Sequence, residues 1–237
     1  MPRSPAFLVA IASLALAFPA YAKPVSPELM HRLAAFAATS DAEEKRLSCL
    51  MDGKFDLSIN DHHSRFEVSA RIEGTGGEPK ITVLKYTEDG VDKTAEGQKK
   101  AREFILDRER QNNNGANDDL QMPVLAGVQD QYVFDEVDRS PDGTHVKIQF
   151  TPKHPSKKTV EGSAWVDDAT GSVLSTSFGV SKTPIFIQWM HVAMEFFART
   201  PLGPAPSKVA VDAEAAILFV HVRIHAEAVL SGYTVAP

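Results

Sequence analysis

Histidines are the residues of this chain whose types and spacing could support metal binding or acid–base chemistry. His62 and His63 follow Asp61 in a polar segment that is typical of a solvated turn, with a metal site of these three residues as the alternative. His221 and His225 are four residues apart, but apolar and polar residues alternate around them, which indicates a strand. At roughly 3.3 Å per strand residue the two rings lie about 13 Å apart. We therefore predict that they share no metal ion, and that the protein binds neither a metal nor a cofactor.

The sequence motifs of the common enzyme classes are missing. The chain contains no G-x-S-x-G, H-E-x-x-H or Walker A motif, and no G-x-G-x-x-G between a strand and a helix. Asp167 and Asp168 fall in a predicted turn, so no carboxylate pair is positioned for glycoside hydrolysis. Cys49 is the single cysteine and stands among apolar residues, as a buried thiol does. We predict no catalytic residue and a protein that is not an enzyme, with a hydrolase built around the histidines as the least favoured alternative.

Charge and composition restrict the partners. The 237 residues carry 25 Lys and Arg against 31 Asp and Glu, a net charge of −6, which argues against a nucleic-acid partner. The one basic cluster runs from Lys153 to Lys158; a solvated loop explains it most simply, and an acidic partner or anionic lipid headgroups are the alternative. A hydrophobic content of 43 % is ordinary for a globular domain.

The first 22 residues have the pattern of a secretory signal peptide. Arg3 supplies the positive start, Ala6 to Phe18 is apolar, and Ala20-Tyr21-Ala22 forms a small-x-small cleavage site. As a helix this apolar run is too short to cross the roughly 30 Å hydrocarbon core of a bilayer. We predict cleavage after Ala22, export to the periplasm, and a single domain over residues 23–237.

Two regions have the pattern of helices. Ser26 is a suitable N-cap for a helix that begins at Pro27, and Asp41 to Met51 can continue as a second short helical segment. Thr94 to Arg110 is rich in helix formers and oppositely charged pairs, which predicts a surface helix. The polar residues Gln111 to Asp119 are predicted to form a loop and a hinge.

Most of the remaining chain alternates with period two, as strands with one apolar and one polar face do. Turn-forming residues separate these segments, and no long helical pattern interrupts the second half of the chain. The predicted strands cover residues 55–59, 66–72, 80–87, 132–137, 144–151, 159–166, 173–180, 186–197, 208–211, 215–226 and 232–235. The elements predict an α+β, mainly β fold with helices on one face of a large, curved antiparallel sheet.

Large apolar side chains on these strands are the remaining candidate site. A curved sheet that carries them on its concave face can hold a long apolar ligand beneath covering helices, although such residues most often form the core. The candidate lipid-binding residues are Phe66, Val68, Phe134, Ile148, Phe150, Trp165, Phe178, Trp189, Phe196 and Phe219.

Three consecutive segments resemble one family of exported proteins. Phe150-Thr-Pro152 is followed by Val160-Glu-Gly-Ser-Ala-Trp-Val-Asp-Asp-Ala-Thr-Gly171 and by Val173-Leu-Ser-Thr-Ser177. An F-x-P run, a G-x-a-w-v-D-x-x-T-G hairpin and an aliphatic strand in this order are similar to the central strands of the LolA-like superfamily, the outer-membrane lipoprotein-sorting type. The resemblance implies an incomplete β-barrel covered by helices, with an apolar cavity that accepts an acyl chain or another lipid-like group.

Two hypotheses of different classes follow. In the first, the protein is a periplasmic binding or carrier protein that holds a lipid or a lipoprotein acyl chain in an apolar cavity. In the second, it is a cell-envelope interaction or scaffold module with the same fold and a filled core, and its partner is an envelope protein. Peripheral contact with a membrane is compatible with both.

Overall fold

A computed structural model describes residues 22–44, 46–76, 79–113, 120, 122–124 and 127–235. The predicted signal peptide up to Tyr21 and residues 114–119 of the predicted hinge lie outside the described residues. In chain order the elements are β1 (Lys23–Pro24), α1 (Pro27–Glu44), β2 (Leu47–Ile59), β3 (His62–Glu73), β4 (Lys80–Glu88), β5 (Val91–Asp92), α2 (Thr94–Asn113), β6 (Tyr132–Arg139), β7 (His145–Pro152), β8 (Val160–Asp167), β9 (Val173–Val180), β10 (Ile187–Glu195), β11 (Ala198–Thr200), β12 (Gly203–Ala205), β13 (Lys208–Ile217) and β14 (Val220–Val235).

Twelve strands form one antiparallel sheet in the order β1-β6-β7-β8-β9-β10-β13-β14-β2-β3-β4-β5. The sheet does not close on itself, because β1 and β5 lie at opposite edges. Each of these edge strands has two residues. The strands β11 and β12 form a separate two-stranded ribbon. The predicted fold class, α+β and mainly β with one large, open antiparallel sheet, is confirmed.

Strand pairing places apolar side chains on one face of the sheet, which we call the apolar face. Directly paired residues share a face and successive residues alternate between faces, so each row of paired residues belongs to one face. A row on the apolar face consists of Ile148, Ala164, Thr176, Met194, Val209, Ala228, Gly53, Val68 and Tyr86. The adjacent row, on the opposite or polar face, consists of Lys147, Trp165, Ser175, Glu195, Lys208, Val229, Asp52, Ser69 and Lys85.

Helix α1 covers one half of the apolar face. The predicted N-cap is confirmed, since Ser26 Oγ accepts a hydrogen bond from the Leu29 backbone N–H at 3.2 Å. Leu29 and Leu33, one turn apart, are buried against strands β6 to β9. The core cluster contains Val25, Leu29, Leu33, Tyr132, Val146, Ile148, Phe150, Val160, Ala164, Val166, Val173 and Phe178. This half of the sheet therefore has a packed interior beneath α1.

Helix α2 lies along β4 near the other edge of the sheet. A Cβ atom added to Gly97 would lie 2.7 Å from the Tyr86 Cβ, so the two backbones approach closely on the apolar face. The Gln98 side chain accepts from the Val83 N–H at 2.8 Å and donates to the Ile81 carbonyl at 3.2 Å. The hydroxyl of Thr94 accepts from the Tyr86 N–H at 3.1 Å. Side chains of α2 thus form hydrogen bonds with the N–H and C=O groups of β4 that point away from β3.

Two expectations about element boundaries are wrong. The segment Asp41 to Met51 does not form a second helix: α1 continues to Glu44, and β2 begins at Leu47. There, Cys49 and Met51 face the apolar side, where pairing with β3 and β14 outweighs local helix preference. The final strands are also longer than predicted, because β13 and β14 form one hairpin that turns at Leu218 and Phe219.

Candidate functional site

The candidate lipid-binding residues divide between the core and the surface. Ile148, Phe150 and Phe178 are 0, 1 and 5 % exposed and belong to the core beneath α1. Phe134 and Phe196 are half-buried and pack against that core. A ligand could reach Ile148, Phe150 and Phe178 only if α1 moved away from the sheet, since their present neighbours are protein atoms.

The other candidates are spread over the molecule. Phe66 and Val68 lie on the apolar face of β3, where the Phe66 ring stacks on Tyr86 with the ring centroids 6.2 Å apart. Trp165 and Trp189 lie on the polar face. Phe219 is 89 % exposed in the turn between β13 and β14. The structure therefore brings Phe66 and Val68 together, and separates them from the two tryptophans and from Phe219.

An apolar surface that the sequence analysis did not single out lies on strands β2, β13 and β14. We call it the open strip, and it consists of Phe55, Leu57, Ile59, Ala213, Ala215, Ile217, Val222 and Ile224. Its larger members Phe55, Ile59, Ile217 and Ile224 keep between 36 and 48 % of their surface exposed. The strip belongs to the same face as the packed core, yet it is open to solvent.

Strand register explains the shape of the open strip. Ile59, Val222 and Ala215 stand side by side in one row of paired residues, and the next row on this face brings Leu57 and Ile224 against Ala213. From the row of Phe55 to Ile217 the strip runs about 20 Å along the strands, and it is about 10 Å wide across them. The alanines of β13 lie between the larger side chains of β14 on one side and Met190 of β10, which pairs with Ala213, on the other. The result is a shallow apolar trough.

The alternation in β2 and in β14 was a usable signal for this surface. Phe55, Leu57 and Ile59 alternate with polar residues, and so do Val222 and Ile224. What the sequence does not reveal is that β2 and β14 are neighbours, because pairs such as Leu57 with Ile224 are formed by opposite ends of the chain.

A network of charged side chains fixes α1 to the sheet. Arg32 of α1 donates to one oxygen of the Asp168 carboxylate at 3.2 Å, and Arg139 of β6 donates to the other at 2.6 Å. Arg139 also pairs with Glu136 at 3.2 Å. Hydrogen bonds to Glu136 and then to Asp168 raise the pKa of the Arg139 guanidinium. The carboxylate of Asp168 therefore links the helix to β6.

The turn that carries Asp168 also determines how near α1 can come. Gly171 has a φ of 74°, and a Cβ atom there would lie 2.5 Å from the Arg32 carbonyl carbon and 2.6 Å from the Leu33 nitrogen. Only glycine permits this approach without displacing the helix backbone. The glycine of the T-G pair in the hairpin motif thus lies directly against the backbone of α1.

Histidines of the polar face form separate pairs with single side chains. These pairs are His63 with Ser58 at 2.7 Å, His191 with Ser177 at 2.8 Å, and His225 with Asp212 at 2.6 Å. A serine hydrolase needs a serine, a histidine and a carboxylate in one chain of contacts. Among the hydrogen bonds of the described residues, each of these three histidines bonds to a serine or to a carboxylate, and none bonds to both. The described residues therefore contain no triad that supports the hydrolase hypothesis.

The hydrogen bond that His225 donates to the Asp212 carboxylate, followed by the charges of Asp212, Glu227 and Asp56, raises the pKa of His225. We expect His225 to titrate above the ordinary value of about 6.5, and the Asp212→Asn variant to bring its midpoint back towards that value. NMR titration of the imidazole resonances measures both. Since the folded pKa is the higher one, the small stabilisation from this exposed pair is complete below about pH 6.5 and is lost as the pH rises through the folded pKa.

The control for this titration is Asp138→Asn, which removes an exposed carboxylate from β6 and leaves Asp212 in place. Its His225 midpoint should equal that of the wild type. An unchanged midpoint in Asp212→Asn would show that the 2.6 Å contact is not formed in solution.

The described residues give a metal site no support. No group of three His, Cys, Asp or Glu side chains within the described ranges is arranged to hold a metal ion, including Asp61, His62 and His63. No helix in these ranges is both long enough and apolar enough to span a membrane.

Two open hollows adjoin the outer strands. On the polar face, Asp56, Ser58, His63 and Arg65 border a hollow of about 670 Å³. Between α2 and β4, a groove of about 580 Å³ is lined mainly by aliphatic side chains and alkyl stems; it includes Ile81, Ala101, Ile105 and Leu106. The first is polar and charged, whereas the second extends the apolar character of the covered face to the sheet edge.

No family model matches the chain, and no curated protein matches it. Solved structures with a similar fold include a LolA superfamily protein from Nitrosomonas europaea, with 11 % identity and a TM-score of 0.31 over 85 % of this chain and 94 % of that chain. They also include a chain of the MucA/MucB complex of Pseudomonas aeruginosa, with 12 % identity and a TM-score of 0.24 over 89 % of this chain and 99 % of that chain.

A further match is a structure of MucB in complex with MucA(peri), with 12 % identity and a TM-score of 0.23 over 89 % of this chain and 98 % of that chain. TM-scores this low describe a loose correspondence of folds and no shared site.

Proposed function

We propose that this protein is exported to the periplasm and, without enzymatic activity, holds a lipid or an acyl chain of a lipoprotein against the open strip. The observation that carries the proposal is the exposure of Phe55, Ile59, Ile217 and Ile224 on the face that is elsewhere packed beneath helices. A soluble domain normally buries such a face, so a contiguous apolar surface indicates a binding site.

The strip suits an unbranched apolar ligand more than a polar one. Its described members carry no charge, and burial of each methylene group contributes about 0.8 kcal/mol. Several methylene groups laid along the trough would therefore bind usefully without a charged contact. Phe66 pairs directly with Phe55 across β2 and β3, and Val68 lies one row further along, so these two predicted residues form the side wall of the same site.

The predicted residues beneath α1 have a conditional role in this proposal. Ile148, Phe150 and Phe178 would contact a ligand only in a state in which α1 leaves the sheet. Such a state requires breaking the contact of Arg32 with Asp168, which is a partly exposed ion pair. Binding of a ligand beneath α1, in addition to the apolar trough, would thus depend on the displacement of this helix.

The Ile224→Asn variant should bind a fluorescent fatty acid about tenfold more weakly than wild type. Ile224 is 40 % exposed in the middle of the strip, so the substitution removes an apolar contact of the ligand with little change to the core. Delipidated protein is titrated with the fatty acid, and the change in fluorescence gives the affinity.

The matched control is Val229→Asn on the same strand, because Val229 is 52 % exposed but belongs to the polar face. It should bind as the wild type does. Absence of fatty-acid uptake by the wild type, or equal loss in both variants, would contradict binding at the open strip.

A second function, an envelope-protein interaction module, is favoured by the filled interior beneath α1. In that case the open strip receives apolar side chains of a partner protein instead of an acyl chain. Capture experiments with envelope extracts separate the two: a module retains a protein partner through the strip and loses it in Ile224→Asn, while delipidated wild type takes up no fatty acid.

A further inference from the structure

Fully exposed apolar side chains are concentrated at one end of the sheet. Ile185 is 91 % exposed, Leu218 and Phe219 are each 89 % exposed, and Phe186 is 53 % exposed. All four lie in two loops, between β9 and β10 and between β13 and β14. Scattered exposed apolar residues are common, but a contiguous group with such exposure marks a contact surface.

Hydrogen bonds connect these loops into one surface, which we call the loop edge: residues 153–159, 181–186 and 218–219. The Ser156 N–H donates to Ser181 Oγ at 3.3 Å, and the Ser181 and Thr159 hydroxyls are 2.6 Å apart. The Ala216 N–H donates to the Phe186 carbonyl at 2.9 Å, next to the hairpin turn. The loop edge spans the ends of β8, β9, β10, β13 and β14, about 20 Å across.

The hairpin turn at the loop edge is unfavourable for folding. Leu218 has a φ of 55°, in the region that bulky L-residues avoid. Leu218 is the first residue of a two-residue turn. In type II′ turns this position requires a positive φ, which glycine adopts most easily. The fold therefore gains almost no burial from Leu218 and Phe219, although Leu218 is costly in the backbone.

Basic residues accompany the apolar ones. Lys153, Lys157, Lys158 and Lys182 are exposed on the loop edge, and its three segments contain no acidic residue. Two acidic residues lie nearby in the chain fold: Asp61 in the turn between β2 and β3, and Asp130 in a short 3₁₀ helix just before β6. In a chain whose net charge is −6, a surface with four lysines has a local charge opposite to that of the whole molecule.

We propose that the loop edge docks the protein on the surface of an anionic lipid bilayer. The lysines would contact the headgroups, while Leu218, Phe219 and Ile185 enter the boundary between headgroups and acyl chains. The apolar side chains stand on loops and the lysines flank them. An anionic bilayer matches this arrangement, because its negatively charged headgroups lie outside its hydrocarbon layer. A protein partner would have to present both in a groove about 20 Å long.

The double variant Leu218→Gly/Phe219→Ser tests the proposal. Glycine followed by serine suits the turn, so the variant should remain folded and keep the unfolding temperature of the wild type or exceed it. The wild type and the variant are purified from the exported fraction of the expressing cells. In flotation with vesicles of equal parts phosphatidylglycerol and phosphatidylethanolamine, the wild type should bind to the vesicles. The variant should bind at least about tenfold more weakly.

Two further variants and one lipid control complete the test. Leu84→Ser/Phe104→Ser removes one leucine and one phenylalanine that are 50 and 58 % exposed away from the loop edge, and it should bind as the wild type does. Lys157→Gln/Lys182→Gln should weaken binding and its salt dependence. Phosphatidylcholine vesicles should bind weakly in all cases.

Absence of wild-type binding to the anionic vesicles would overturn the proposal, as would equal binding by Leu218→Gly/Phe219→Ser. A variant that loses only the capture of an envelope protein would identify a protein interface instead. Fatty-acid uptake by the wild type and by Ile224→Asn is measured separately. A failure of membrane docking would therefore not contradict the proposed carrier function.

Discussion

The Gly171→Ala variant should lose about 2–5 kcal/mol in the free energy of unfolding. Two costs combine at this position. A left-handed backbone is unfavourable for alanine, and the new Cβ would lie 2.5 Å from the backbone of Arg32, so α1 must shift. Denaturant unfolding followed by circular dichroism measures the loss.

The chain contains a matched control for this prediction. Gly143 has the same φ of 74°, but a Cβ atom there has no neighbour within 4 Å. Gly143→Ala should therefore show only the backbone cost, about 1–2 kcal/mol. The difference between the two variants reports the contact with α1, and equal losses would show that the helix does not rest on this turn.

Truncation of Phe150 to alanine should cost about 3–5 kcal/mol of stability in the absence of any lipid. Phe150 is 1 % exposed and contacts other members of the core beneath α1, so its removal leaves a cavity that the surrounding side chains fill only in part. Thermal and urea unfolding of delipidated protein give the value.

Comparison with Phe55→Ala makes this result specific. Phe55 is 36 % exposed in the open strip, and its truncation should cost about 1–2 kcal/mol while weakening fatty-acid binding. The opposite pattern, with little stability lost in Phe150→Ala and much binding lost, would mean that the ligand site lies beneath α1, as the resemblance to the LolA-like superfamily implies.

Local patterns were enough to predict most elements. Ser26 before Pro27 predicts the helix start because an N-cap side chain and a first-turn proline act within a few residues. Alternation predicts strands such as Val173 to Val180 because one face of each is buried and the other is not. The hairpin motif ends at Gly171, and the structure gives a physical reason for a glycine at this position, the close approach of α1.

Features that depend on distant pairing were not predictable. The turn at Leu218 and Phe219 contains none of the residues that mark hairpins, so the apolar run from Ala215 to Ala226 looks continuous in the sequence. The helix predicted over Asp41 to Met51 fails for the same reason, since pairing of β2 with β3 and β14 decides the conformation from Leu47 onwards. The open strip exists only because these distant strands are adjacent.

The bonds from Gln98 and Thr94 to β4 have a consequence for assembly. An open sheet exposes N–H and C=O groups along its edge, and extended segments of other chains can add there as a further strand. Here the side-chain amide of Gln98 acts in place of a neighbouring peptide group, because it bonds to the Ile81 carbonyl and the Val83 N–H. The Thr94 hydroxyl accepts a hydrogen bond from the Tyr86 N–H in the same way. Strand addition at this edge, and with it edge-to-edge polymerisation, is therefore blocked by side chains of a helix, and a partner must approach this region through a face or the loops.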